Sequence, residues 1–287
     1  MIRILVPVDF SDYAFNALDY AVKLGGEIPS EITLAHCFPE VFDEKDIDVP
    51  EGTVDMGKII QQKRESEREA IEKIIEKTKA GFNDNQRKNI LLKLYFEVGY
   101  AEDILLELSN ELLPDVIVMG TKSKGETIKE LLGSVTSDVV RKAHVPVLTI
   151  PAESSIDLNR ISNILFITDF SGTDYKSLHK LMLLITPFKT LIHCIKVNTS
   201  TPDKWDKDKM NKFSEYCATT YRNHKIKAGI LYSENFIDTL DKFILDNSID
   251  IIAMTRKKRN VISSLFHPGI TRKILFHTNI PLLVFHS

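Results

Sequence analysis

Short apolar runs alternate with segments of helical spacing along the whole chain. In the first half, runs rich in Val, Ile and Leu predict buried strands, which lie near residues 2–8, 31–37, 91–97, 115–119 and 146–150. Segments with a helical period separate these runs. Continuous apolar strands that alternate with helices are typical of a parallel sheet covered on both faces. The pattern therefore predicts an α/β fold.

The second half repeats the first half in the same order. The segment IRILVPVDFS at 2–11 resembles SNILFITDFS at 162–171, so Asp9 matches Asp169, 160 positions later. The further matches are LAHCF (34–38) with LIHCI (191–195), PDVIVMG (114–120) with IDIIAMT (249–255), and VPVLTI (145–150) with IPLLVF (280–285). We expect two tandem open parallel five-stranded sheets with helices on both faces, in domains 1–152 and 160–287.

The first half is longer than the second in its middle. The extra length lies around residues 38–58, where Pro and Gly break the periodicity and predict a long surface loop. The charged segment 61–79 then predicts one amphipathic helix with a solvated face. Before the first helix, Ser11 is a candidate for the N-cap.

Composition excludes several classes of protein. A net charge of -3 with 27% charged residues is nearly balanced and does not favour nucleic acid as a partner. We expect a cytoplasmic protein without a membrane partner, because the apolar start is too short for a signal peptide and no run of roughly 18 apolar residues occurs.

The three cysteines, Cys37, Cys194 and Cys217, are odd in number and lack CxxC spacing, which predicts reduced thiols. His36 and His193 are expected to be core histidines.

Two segments are expected to meet at a ligand site. In an open parallel sheet, ligands bind beyond the carboxyl ends of the strands where the winding direction reverses. Pro7-Val8-Asp9 follows the first strand, and Met119-Gly120 follows the fourth. Gly133-Ser134 then begins a helix, and the first amides of a helix suit phosphate oxygens.

These residues resemble the universal stress protein family, whose nucleotide motif is Gly, two residues, Gly, nine residues, Gly-Ser/Thr. The matching positions here are Gly120, Ser123 and Gly133-Ser134, so the middle glycine has become a serine, with Gly125 nearby. The Val-Pro-Val-Asp-Phe-Ser opening and the Val-Pro-Val-Leu close are also similar to the family. The resemblance covers both halves over nearly the whole chain.

The resemblance implies an adenine nucleotide in the first half, with ATP as the principal ligand, ADP or AMP as alternatives, and Mg²⁺ as an accompanying ion. The implied contacts are Pro7, Val8, Asp9, Cys37, Met119, Gly120, Lys122, Ser123, Gly133, Ser134, Val135 and Thr136. Lys122 would be the countercharge of the phosphates. Other interpretations stay open: Asp9 as a helix cap, Cys37 and Met119 as plain core, and Lys122 as a solvent-exposed side chain.

The second half departs from the motif at each of its parts. Gly120 becomes Thr255, Ser123 becomes Lys258, and Gly133-Ser134 becomes Pro268-Gly269. Proline removes an amide from the helix start, so we expect no nucleotide there, although the basic residues 256–259 could hold another anion. The resemblance also implies that the strand-five edges pair between the halves. Whether the tandem chain forms a further homodimer is left open.

Three functions compete. The first is a binding or regulatory module of a stress response without catalytic residues or a bound structural metal, with slow ATP hydrolysis left open. The second is an enzyme of phosphate chemistry, because residues 120–127 nearly fit the P-loop pattern GxxxxGK[ST]; Glu126 stands at the lysine position and would repel phosphates. The third is a ligand-free scaffold that docks a partner protein through residues 38–58.

Overall fold

The computed structural model describes residues 1–39, 56–122, 133–154, 161–198, 201, 203–232, 235–256 and 279–286. We call residues 1–154 the front half and residues 161–286 the rear half. The strands are β1 (Ile2–Pro7), β2 (Ser30–Phe38), β3 (Ile90–Val98), β4 (Val116–Thr121), β5 (Val147–Pro151), β6 (Asn163–Ile167), β7 (Leu191–Asn198), β8 (Lys225–Tyr232), β9 (Ile251–Arg256) and β10 (Leu282–His286). The described helices are α1 (Asp12–Gly26), α2 (Met56–Ala80), α3 (Asp84–Asn89), α4 (Ala101–Glu111), α5 (Ser134–Lys142), α6 (Gly172–Ile185), α7 (Lys204–Thr220) and α8 (Phe236–Asp246).

The ten described strands join one sheet, in the order β3-β2-β1-β4-β5-β10-β9-β6-β7-β8. Strands within each half pair in parallel. The halves meet where β5 pairs with β10 antiparallel, with Leu148 opposite Leu283. The predicted α/β class with parallel five-stranded sheets is confirmed, and the two sheets are continuous with each other.

The winding direction of the front half reverses at β1. The chain passes from β1 to β2 and β3 on one side and then returns to β4 on the other side of β1. The loops that follow β1 and β4 therefore diverge, which opens a crevice at the carboxyl ends of these two strands. This is the place where the sequence predicts a ligand.

Local signals account for the elements around the crevice. All six residues of β4 are buried, as expected for a parallel strand covered on both faces. Ser11 caps α1, because its hydroxyl accepts a hydrogen bond from the Ala14 amide at 3.3 Å, and this prediction is confirmed. The predicted helix at 61–79 lies within α2. Of the predicted long loop, residues 40–55 lie outside the described part of the chain.

Apolar clusters cover the two faces of the sheet differently. One cluster is continuous through both halves and includes side chains of α1, α2, α6 and α7, among them Leu18, Ile71, Leu178 and Phe213. The opposite face carries two separate clusters, one around α4 and α5 in the front half and one around α8 in the rear half. No helix in the described ranges is both long and apolar enough to cross a bilayer.

The strand register corrects one of the repeat matches. Leu5 pairs with Thr33 in the front half, and Leu165, its equivalent, pairs with His193 in the rear half. Thr33 therefore corresponds to His193. The match of LAHCF with LIHCI is wrong by three residues, because a coincidental His-Cys pair in both segments outweighed the ladder position.

The corrected register changes two equivalences that matter for the site. His36 corresponds to Lys196, and Cys37 corresponds to Val197. His193 and Cys194 are therefore not counterparts of the residues at the end of β2. Both belong to the buried middle of β7.

Candidate functional site

The crevice between the ends of β1 and β4 is a cleft of about 100 Å³. Its walls come from β1, β2, β4 and the first turns of α1, α4 and α5. The lining residues are Pro7, Val8, Asp9, Tyr13, Ala14, Ala35, Cys37, Ala101, Met119, Gly120, Val135 and Thr136. Eight of the twelve residues that the sequence implied are among them.

The other four implied residues are placed as follows. Gly133 and Ser134 directly precede Val135 at the start of α5, beside the cleft. Lys122 follows β4 and is exposed, outside the lining. Ser123 lies beyond the described residues, as do Gly125 and Glu126 of the P-loop comparison.

Sequence reasoning missed four lining residues, namely Tyr13, Ala14, Ala35 and Ala101. Three are alanines, which carry no chemical group that a motif search would select. A positional signal was present, since each lies at or just after the carboxyl end of a parallel strand. Ala35 belongs to the end of β2, and Ala101 begins the helix after β3.

Gly120 is required by the packing of α1 on β4. A Cβ at this position would lie 2.1 Å from the carbonyl oxygen of Tyr13 and 2.4 Å from its carbonyl carbon. Backbone atoms cannot give way as a flexible side chain can, so only glycine fits. The missing side chain thus allows a helix, rather than a ligand, to approach the strand.

Gly133 is required by its own backbone. Its φ of +83° and ψ of 157° lie in a region that L-residues rarely adopt, although a Cβ at this position would meet no atom within 4 Å. Its conformation starts α5 without a side-chain cap. The amides of Ser134, Val135 and Thr136 find no acceptor among the described residues, so they are available to an anion.

Asp9 contributes its carboxylate to the turn between β1 and α1. Its Oδ1 accepts the Ser11 amide at 3.1 Å and the Ser11 hydroxyl, and the Tyr13 hydroxyl lies 3.4 Å from Oδ2. Ser11 is therefore the N-cap of α1, and Asp9 supports the turn through Ser11 instead of capping the helix itself. Phe10, between them, has φ of 63° and turns the chain sharply.

Apolar and weakly polar groups form the inner wall. Burial raises the pKa of the half-buried Cys37 thiol to about 12, with a smaller contribution from Glu97, so the thiol stays protonated at neutral pH. Met119 is buried in the cluster around α4 and α5. The Thr136 hydroxyl donates to the Gly120 carbonyl at 3.3 Å and ties α5 to β4.

His36 supports the turn between β1 and α1 from the side of α2. It is buried, and its Nδ1 lies 2.7 Å from the Val8 carbonyl oxygen while its Nε2 lies 3.1 Å from Glu67 on α2. Phe10 meets the imidazole edge to face at 4.9 Å. The expectation of a hydrogen-bonded core histidine is confirmed for His36, which links α2 to the wall of the cleft. In the rear half, Lys196 makes the corresponding bond with Asp206 of α7.

Larger and more polar residues stand at the equivalent places of the rear half. Ala14 corresponds to Asp174, which is 1% exposed. Its Oδ2 accepts the Thr168 hydroxyl at 2.9 Å and the amides of Asp169 and Ser171 at 3.1 Å each. The rear turn thus contains its own anion.

Two further rear residues add bulk. Ala35 corresponds to Ile195, and Gly120 corresponds to Thr255; both rear side chains are buried. Within the described part of the molecule, the Thr255 hydroxyl oxygen has no hydrogen-bond partner. The substitutions at Lys258 and Pro268-Gly269 fall outside the described residues, so the structure offers a different reason for a closed rear turn.

Protein ligands for a metal ion are sparse around the cleft. The described ranges contain no group of three or more His, Cys, Asp or Glu residues that could hold a metal ion.

Fold and cleft together define an α/β protein with a ligand crevice at a topological switch point. The model of the universal stress protein family matches residues 1–151, and the chain belongs to this family. Two universal stress proteins of Methanocaldococcus jannaschii are each 27% identical to it, over 160 and 152 residues, which cover 53% and 52% of this chain and 96% and 81% of theirs. One relative therefore spans about one half of the molecule.

Solved structures match the whole chain. A universal stress protein from Archaeoglobus fulgidus has a TM-score of 0.75 at 16% identity and covers 99% of this chain and 98% of its own. A functionally unknown protein from Pseudomonas aeruginosa has a TM-score of 0.58 at 14% identity, covering 99% and 92%. At these identities the likeness shows the fold alone. With two similar halves, the chain is consistent with a tandem family member.

Proposed function

We propose that the front cleft binds an adenine nucleotide. The supporting observation is the combination of a cleft floored by small residues with three amides of α5 that lack acceptors among the described residues. A purine is flat and largely apolar, which suits walls such as Ala35, Cys37 and Met119. A phosphate chain needs donors and positive potential, which the start of α5 supplies.

The size of the cleft supports a division of the ligand. The described walls enclose about 100 Å³, well below the roughly 300–1,000 Å³ of pockets that enclose a whole drug-sized ligand. In this proposal the base enters the cleft, and the phosphates lie outside it along Gly133 and Ser134. Lys122, exposed at the end of β4, is the nearest predicted countercharge. ATP with Mg²⁺ makes most use of these groups, and ADP or AMP would use fewer.

We further propose a binding or regulatory role in a stress response, rather than turnover. One ionisable group of the lining supports this choice. The Cys37 thiol is kept protonated by its raised pKa, so it is not poised as a nucleophile at neutral pH.

In the proposal the rear half binds no nucleotide and acts as a fixed packing partner. Asp174 would repel a phosphate at the turn where Ala14 leaves space in the front half. The antiparallel pairing of β5 with β10 covers two strand edges that would otherwise be open to other chains.

Two measurements on the full chain test the proposal. Mass spectrometry of small molecules released from freshly purified protein should detect ATP, ADP or AMP. Calorimetric titration of nucleotide-free protein should give saturable binding of one ATP per chain. Protein that releases no nucleotide and takes up no ATP would refute the proposal and favour the ligand-free scaffold.

A further inference from the structure

Helix α5 connects the front cleft to the rear half. Its first residue, Ser134, stands beside the cleft, and its last turn reaches the junction of the two halves. The last four carbonyl groups of a helix lack partners within the helix and must find them elsewhere. The Val139 carbonyl accepts the Ala143 amide at 2.9 Å.

The rear half supplies donors for the next two carbonyl groups. His286 Nε2 lies 2.7 Å from the Val140 carbonyl oxygen, and the Arg256 guanidinium donates to the Arg141 carbonyl. The second nitrogen of His286 lies 2.9 Å from the carbonyl oxygen of Val145, just before β5. One side chain from the end of β9 and one from the end of β10 therefore close the end of a front-half helix.

Packing and charge reinforce these bonds. The side chain of Val140 packs against the rear cluster around α8 as well as against its own front cluster. Arg256 brings a permanent positive charge to the carboxyl end of α5, where the helix dipole is negative. A cation at that end stabilises the helix whose opposite end offers its amides to the cleft.

The front half lacks counterparts of these two side chains at the equivalent strand positions. By the strand register, Arg256 corresponds to Thr121, and His286 corresponds to Pro151. Neither Thr121 nor Pro151 has a cationic group or a ring N–H to offer. The front half therefore has no matching pair at these two positions.

We propose that Arg256 and His286 are positioning residues of the front site: the rear half holds α5 by its carboxyl end and so fixes the amides that receive the phosphates. This inference rests on the proposed nucleotide binding. It gives the rear half a role in ligand binding without a ligand of its own. The effect should be greatest on the phosphates, because the α5 amides are proposed to receive them, whereas the base would meet α5 only through the Val135 and Thr136 side chains of the lining.

The experiment compares ATP with adenosine on the full chain by calorimetric titration. Arg256→Met removes the charge and the donors while keeping an apolar stem, and it should weaken ATP binding about threefold to tenfold. Affinity for adenosine, which lacks phosphates, should change by less than about twofold. His286→Phe should act in the same direction, and Arg256→Lys should keep most of the ATP affinity.

A matched control is available in the rear half. The Arg222 guanidinium donates to the Thr219 carbonyl near the end of α7, a similar helix cap without contact to α5. Arg222→Met should leave both affinities at the wild-type values. Melting curves of every variant show whether the fold persists, and His286→Phe provides the test if Arg256→Met does not fold.

The outcomes separate the two proposals. If wild-type protein binds no ATP, the proposed function fails and this inference fails with it. If wild type binds ATP and Arg256→Met binds it equally well, only the inference is overturned. Equal weakening of ATP and adenosine also overturns it, because that pattern indicates general loosening of the front half.

Discussion

The front and rear halves share one backbone design and differ in what occupies the turn after their first strand. Phe10 and Phe170 adopt the same left-handed conformation, with φ of 63° and 57°. Val8 and Thr168 donate equivalent amide bonds to the ends of β2 and β7. The side chains that face this turn differ, because Ala14 is replaced by Asp174.

The comparison teaches that a side chain can take the place of a ligand. Asp174 satisfies two amides and one hydroxyl inside the rear turn, so this turn is complete without an external anion. In the front half a small residue leaves the cleft open, and donors remain at the start of α5. At this turn the rear copy therefore holds a carboxylate where the front copy leaves open space.

The largest effect should come from moving the rear residue into the front cleft. Ala14→Asp places an unpaired carboxylate in the cleft where the base is proposed to enter, so ATP affinity should fall at least about 100-fold. Calorimetric titration measures the loss. Ala14→Ser, which adds a small neutral group, should stay within about fivefold of wild type. Retained tight binding by Ala14→Asp would show that the rear closure has another cause.

The second effect concerns the two glycines that open helices in the two halves. Gly133→Ala forces a side chain onto a φ of +83°, which should cost about 1–2 kcal/mol of unfolding free energy and lower ATP affinity. Gly172→Ala at the start of α6 is a control in the rear half, since Gly172 has open space and no unusual φ, and it should be neutral or slightly stabilising. Denaturant titration of both variants checks this, and equal stability losses would contradict it.

A smaller effect distinguishes two buried threonines, Thr136 at the start of α5 and Thr255 in β9. Thr255→Val removes a hydroxyl that has no partner in the described residues and should stabilise the protein by about 1 kcal/mol. Thr136→Val removes the bond to the Gly120 carbonyl and should destabilise by about 1 kcal/mol. Opposite shifts of the melting temperature are expected. A loss of stability in Thr255→Val would mean that its hydroxyl is hydrogen-bonded.

The smallest effect is a pH dependence that belongs to the rear half. Burial, aided by Lys227, lowers the pKa of His193 below its ordinary value of 6.5. The unfolded chain therefore takes up the proton first, so the free energy of unfolding falls as the pH drops below about 6.5. The contribution of one histidine cannot exceed about 1.4 kcal/mol per pH unit.

Denaturant titration at about pH 7.5 and about pH 5.5, on either side of the ordinary histidine pKa, isolates this contribution. The stability difference between wild type and His193→Gln should shift in favour of the variant at the lower pH. His36→Gln in the front half offers a comparison at a histidine paired with Glu67. An unchanged difference for His193→Gln would contradict the assignment.

The pattern of apolar runs was sufficient to predict the fold. Parallel strands buried on both faces need continuous apolar sequence, so their positions could be read directly, as for β4. The repeat could be recognised because Asp-Phe-Ser follows a similar apolar run in each half. The exact register of β7 could not be predicted from the sequence, because a His-Cys pair recurs three residues out of step with the strand. Only the pairing of the strands in the sheet shows this shift.

The candidate site could be predicted where its residues carry a recognisable chemical group or have a special role in the backbone. Glycine, aspartate and threonine at strand ends were found, whereas three alanines that shape the cleft were not, because their contribution is the absence of bulk. For two predicted features, the structure gives a different physical reason from the one that the sequence suggested. Gly120 serves the approach of α1, and the rear turn is occupied by Asp174, whose position is fixed by the Asp169 and Ser171 amides, which the sequence alone does not bring together.

The joined sheet also determines which strand edges remain open to pairing with another chain. With β5 and β10 covering each other, β3 and β8 form its two outer borders, nine interstrand steps or about 43 Å apart. Lysines stand on both borders, Lys93 on β3 and Lys225 and Lys227 on β8. Positive charge on a border strand discourages a neighbouring chain from adding to it. The ten described strands therefore form a sheet whose two border strands both carry positive charge.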